Sequence, residues 1–125
     1  MRSYERLFAS HPDHLAAGEA TICAVYPDAR NPFAHPELLT EGLEAWTVPE
    51  VWLLAPGETP NRYIDITDTF AKKIAALDAH VSQAQPGAEP GERERVWRDR
   101  HAAMAATGGL AQGHLAEAFQ VVRTA

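Results

Sequence analysis

Tyr63-Ile64-Asp65-Ile66-Thr67-Asp68-Thr69-Phe70, continuing through Lys73-Ile74-Ala75-Ala76-Leu77 to Val81, is the stretch whose reading sets the fold class. Tyr63 to Ile66 alternates in the manner of a half-covered strand, and Phe70, Ile74, Leu77 and Val81 then recur at helical spacing. Thr67 or Asp68 can cap that helix. A strand handing over directly to an amphipathic helix is α/β character. Working back, Val48 to Ala55 reads as a second strand. Its unbroken apolar run Val51-Trp52-Leu53-Leu54 suits cover on both faces, as in a parallel sheet, and Pro56-Gly57 ends it. Working forward, Gln85 to Gly91 is a turn-rich connector. Glu92 to Ala106 is helical, with Glu94/Arg98 and Arg95/Asp99 at i, i+4, and Gly108-Gly109 stops it. Leu115 to Val122 is too short to type, although Val121-Val122 can finish as a strand. No internal repeat is present.

At 125 residues the chain is one domain's worth of polypeptide, treated as one unit over 1–125 with the connector at 85–91. Eleven basic residues stand against 17 acidic ones, for a net charge of −6. No segment carries a basic stripe, so nucleic acid and anionic membrane surfaces are excluded as expected partners. Cys23 is the single cysteine and has no partner for an internal disulfide, which fits a reducing cytoplasm. The longest aliphatic stretch runs only from Val51 to Ala55, so no membrane span is expected.

His11-Pro12-Asp13-His14 gathers two imidazoles and a carboxylate at a helix entrance. Pro12 fixes its own φ and drives His11 into an extended conformation, while Asp13 is a favoured N-cap. Leu15, Gly18, Ile22 and Val25 then mark one face of a helix that stops at Pro27-Asp28. The prolines of Asn31-Pro32-Phe33-Ala34-His35-Pro36-Glu37 make an ordered loop, with room for a short helical turn at Glu37 to Leu39. Taken alone, the tetrad reads either as metal or acid/base chemistry or as a capped helix start with surface histidines. A catalytic zinc takes three protein ligands, so the tetrad cannot close a site by itself.

In this order the landmarks resemble the LmbE-like, or PIG-L, family of zinc-dependent de-N-acetylases. The matching residues are His11-Pro12-Asp13-His14 with Ala17-Gly18, the loop Asn31 to Leu39, Glu50-Val51-Trp52-Leu53, Pro60-Asn61 and Tyr63 to Asp68. They continue with Lys73 to Leu77, His80-Val81-Ser82-Gln83 and Ala116-Glu117-Ala118-Phe119. The resemblance implies a Rossmann-like, three-layer α/β fold with zinc at the carboxyl ends of its strands. It implies that His14 is a zinc ligand. It further implies that His11 stabilises the oxyanion or protonates the leaving amine, with Asp13 orienting it. The substrate class it implies is an N-acetylated amino-sugar conjugate of the N-acetylglucosamine type.

The sequence departs from the family in two places. The Ala-His-Pro-Asp-Asp motif that supplies the other ligands and the general base is absent, and Ala34-His35-Pro36-Glu37 does not replace it, because Leu38 stands where a carboxylate is needed. The chain therefore reads as the C-terminal half of a de-N-acetylase, lacking the first half of the sheet, with an incomplete zinc site and inactive when isolated. A separate N-terminal half or a homo-oligomer is then an expected partner. Ala9 stands where mycothiol-pathway members carry tyrosine, which argues against that pathway. Two other readings stay open. One is a non-catalytic truncated or split-gene product that serves as an assembly or binding partner or does not fold stably. The other is an independent small α/β binding module.

For the remaining candidates, His35 reads as a loop residue and His80 as a helix C-terminal residue. Asp65 and Asp68 read as strand-end and capping residues, and His101 and His114 as structural or exposed. Trp46, Trp52 and Trp97 read as core or half-buried.

Overall fold

The computed structural model of the chain describes residues 11–54, 60–83 and 91–124. Ala9, Pro56-Gly57 and connector residues 85–90 lie outside the described residues. Five helical and strand segments were legible in advance, and each forms near its expected place. Helix α1 spans Pro12–Val25, α2 Pro36–Thr40, β1 Glu50–Leu54, β2 Arg62–Asp65, α3 Phe70–Asp78 and α4 Glu92–Thr107, with β3 at Ala116–Arg123. The last was missed as a full strand. It is the central member of a three-stranded sheet ordered β1-β3-β2.

β2 runs antiparallel to β3, pairing Arg62 with Phe119, Tyr63 with Ala118, Ile64 with Glu117 and Asp65 with Ala116. The Thr124 amide donates to the Pro49 carbonyl at 3.1 Å, so the start of β1 meets the end of β3, again the antiparallel sense. This corrects the parallel-sheet expectation for Val51-Trp52-Leu53-Leu54. β1 is an edge strand among the described residues, and its side chains alternate: Trp52 is 41% and Leu54 75% exposed. The sheet is compatible with part of an α/β fold.

The residues group into two compact units, 1–51 with 122–125 and 52–121. In the first, Pro12 opens α1 and Pro36 opens α2 at positions where a missing N–H costs nothing. The Tyr26 N–H bonds to the Ile22 carbonyl at 2.8 Å, and Pro27 ends the helix. Arg30 fastens this unit. Its guanidinium donates to the Thr124 carbonyl and, at 2.9 Å, to the Thr124 hydroxyl, while that hydroxyl donates to the Val48 carbonyl. Neither α1 nor α2 contains a buried residue, and Phe33 (86%) and Trp46 (68%) are exposed. The core reading of Trp46 is thereby corrected.

The second unit has the chain's described core: Phe70, His101, Ala105, Leu115 and Ala116. Trp97 stacks on the His101 ring at 5.7 Å between centroids, and Phe70 meets that ring edge-on at 5.9 Å. Lys73 of α3 pairs with Glu117 of β3, both half-buried. At the end of α4, Gly108 is required for packing, because a Cβ there would stand 2.5 Å from Cγ of Tyr63. The expected stripe on α3 holds for Phe70, Ile74 and Leu77. Val81 falls outside it, since the helix ends at Asp78 and Val81 is 79% exposed.

Candidate functional site

Pro12, not Asp13, sets where α1 begins. With φ preset for helix, Pro12 takes the first helical position and leaves His11 as the N-cap at φ −63°, ψ 138°. The extended His11 was foreseen, whereas the capping role given to Asp13 is corrected to a place in the first turn. From there its Oδ1 accepts the His14 backbone N–H at 2.8 Å and the ring N–H of His11 Nδ1. Both contacts favour the carboxylate, and they hold Asp13 below its ordinary pKa, the His11 hydrogen bond contributing most. The two partners are exposed, at 72% and 70% of their side chains.

A carboxylate only accepts, so the shared proton sits on Nδ1 of His11, and Nε2 is the ring nitrogen outside that hydrogen bond. The His14 ring centroid is 6.1 Å from that of His11, tilted by 53°. The structure thus brings the three expected site residues to one helix entrance. Among the described residues, no group of three or more His, Cys, Asp or Glu side chains could hold a metal ion. The described residues do not fit a complete zinc centre.

His35 is engaged locally, its Nδ1 3.2 Å from Oε1 of Glu37. Glu37 is held below its usual pKa, first by its own backbone N–H and then by His35. His80 follows α3, its N–H donating to the Leu77 carbonyl at 3.2 Å. Asp65 serves the strand-end role foreseen for it, but with a partner that sequence reasoning missed: His114 Nδ1 lies 2.6 Å from its Oδ2. His101 was read as structural or exposed, and it is 2% exposed. Its Nδ1–H donates to the Ala116 carbonyl at 2.8 Å, while Nε2 is buried without a hydrogen-bond partner. Desolvation lowers its pKa. No motif marked His101 or His114.

No protein-family model matches the chain. The chain is similar to the 1D-myo-inositol 2-acetamido-2-deoxy-alpha-D-glucopyranoside deacetylase of Rhodococcus erythropolis (strain PR4 / NBRC 100887). The two are 36% identical over 107 residues, a match covering 63% of this chain and 36% of that protein. The chain thus spans about a third of that relative's length. By its name the relative is a deacetylase of an acetylated glucosamine conjugate, and the likeness supports the deacetylase class that the sequence landmarks point to. No helix among the described residues is long and apolar enough to cross a membrane.

Proposed function

We propose that this chain is the tetrad-bearing portion of a zinc-dependent de-N-acetylase that removes acetyl from an N-acetylglucosamine-type conjugate in the cytoplasm. The observation that carries the reading is its 36% identity to a deacetylase named for a 2-acetamido sugar substrate. Amide hydrolysis must protonate a poor amine leaving group, and a positioned imidazole is suited to that task. His11 fits: Asp13 holds its Nδ1 side, fixing ring and tautomer, and Nε2 is left to give or take the proton. As an imidazolium, the same ring also stabilises negative charge on the carbonyl oxygen. His14 is assigned as one zinc ligand. The remaining ligands and the water-activating base come from residues that this chain does not supply, in a preceding portion of the same enzyme or a separate subunit.

Joining this chain to the N-terminal portion of the Rhodococcus relative and measuring acetate release from N-acetylglucosamine conjugates tests the reading. A soluble, folded fusion should release acetate, and the 125-residue chain alone should not. An inert fusion beside an active intact relative would contradict it.

A further inference from the structure

Helix α1 is apolar on two opposite sides. Leu15, Ile22 and Val25 recur at i, i+7 and i+10 on one face, and Ala16, Ala20 and Cys23 at i, i+4 and i+7 on the other. A helix of that pattern belongs in an interior, because each side is withdrawn from water only when another element lies against it. Here neither side is covered. α1 contains no buried residue, Ala16, Ala20 and Cys23 are exposed, and Ile22 is 44% exposed. A Cβ added at Gly18 would meet nothing within 4 Å. No described residue of the first unit is buried, so that unit holds no core against which α1 could settle.

The two faces decide the occupant. A second copy of the chain, related by a two-fold axis, would pair one face of α1 and leave the other in water. Cover on both sides takes a layered body. In the Rhodococcus relative the matched segment is 36% of the protein, so most of that chain is available as such a body. We propose that α1 inserts into the remaining portion of the enzyme, which covers both of its faces, an inference that rests on the proposed de-N-acetylase function. The helix that is seated is also the one with His11, Asp13 and His14 at its entrance. Docking of α1 therefore fixes where the tetrad stands against the ligands and base that the other portion contributes.

Cys23, the single cysteine of the chain, reports on this seat. Its alkylation by a maleimide is followed by peptide mass spectrometry in the dilute 125-residue chain and in the fusion to the relative's N-terminal portion, with acetate release measured on the same fusion. Cys23 should react fast in the isolated chain and about tenfold or more slowly in the fusion, where reaction waits on local opening. Ala20→Arg should leave the isolated chain's rate unchanged, since Ala20 is exposed there, and return the fusion to the fast rate. Ala20→Ser should keep the fusion slow. A fusion protected at Cys23 yet inert supports the seat and contradicts the activity. Fast reaction in the unsubstituted fusion overturns the seat, with or without acetate release, and so does slow reaction in Ala20→Arg. Protection in the isolated chain that grows with its concentration to the level of the fusion overturns it in favour of a second copy.

Discussion

The ring N–H of His11 donates to the same Asp13 oxygen that receives the His14 backbone N–H, so one carboxylate ties together the first and last residues of the tetrad. Its position follows from Pro12. Because proline starts α1 two residues earlier than a capping aspartate would, Asp13 lies inside the first turn, where its carboxylate reaches back to His11 and onto the chain ahead. This links a sequence constraint to the protonation state of a ring nitrogen. It also makes Asp13 a positioning residue for His11.

Asp13 should titrate below the ordinary 3.8 because the His11 hydrogen bond favours its charged form. Carboxyl-carbon NMR across the acid range measures this directly. In His11→Ala the Asp13 pKa should rise toward the ordinary value. An unchanged Asp13 in that variant would show that His11 does not hold the carboxylate.

His101 should make stability depend on pH. Burial depresses its folded pKa below 6.5, with Lys73 of α3 and Arg100 of its own helix acting in the same sense. The Ala116 carbonyl and Glu117 of β3 act against it, and Arg98 lies over the adjoining Phe70 ring. As pH falls through 6.5 the unfolded chain binds a proton before the folded one does, so the neutral ring's contribution is complete above 6.5. It is lost progressively below, until the folded pKa is passed. Urea midpoints measured between neutral and mildly acidic pH should fall for the wild type. They should fall less steeply for His101→Gln, which keeps a donor for the Ala116 carbonyl. Parallel pH slopes would contradict the assignment.

Gly108→Ala should destabilise the second unit by about 1–3 kcal/mol, since the added methyl meets the inner carbons of the Tyr63 ring and not a movable tip. Tyr63→Ala should suppress most of that penalty. Denaturant melts of the two single variants and the double variant give the coupling, and additive losses would refute the packing account.

The helices were legible because their boundaries are written in backbone chemistry: Pro12 and Pro36 at starts, Pro27 and the Gly108-Gly109 pair at stops. β3 was not legible, since Ala116-Glu117-Ala118-Phe119-Gln120 has neither an apolar run nor a strong β preference, and its strand state comes from pairing with neighbours. The error at Val51 to Leu54 has the same root, because whether a strand's second face is covered depends on elements far away in the chain. The tetrad could be read as one site because its members are adjacent. His101 and His114 could not be placed, for their partners lie 15 and 49 residues away.

Exposed Phe33, Leu43, Trp46 and Leu54 give the 125-residue chain apolar surface that water does not favour. The isolated chain should elute as oligomers or aggregates and bind a hydrophobic dye, and joining the N-terminal portion of the relative should convert it to a compact species. Size-exclusion chromatography with near-UV circular dichroism checks this. A monodisperse monomer with a cooperative melt would show instead that these residues close their own core, favouring the independent-module reading.

The central claim is the division of labour within the tetrad, with His14 holding metal and His11, oriented by Asp13, moving a proton. It is tested most directly by measuring zinc content and turnover together in the reconstituted fusion carrying His14→Ala or His11→Ala. His14→Ala should lose both zinc and activity. His11→Ala should keep its zinc and lose roughly 10²–10⁴-fold in turnover, the range for a general acid or oxyanion-stabilising group. Full zinc occupancy in His14→Ala, or unchanged turnover in His11→Ala, would contradict the account.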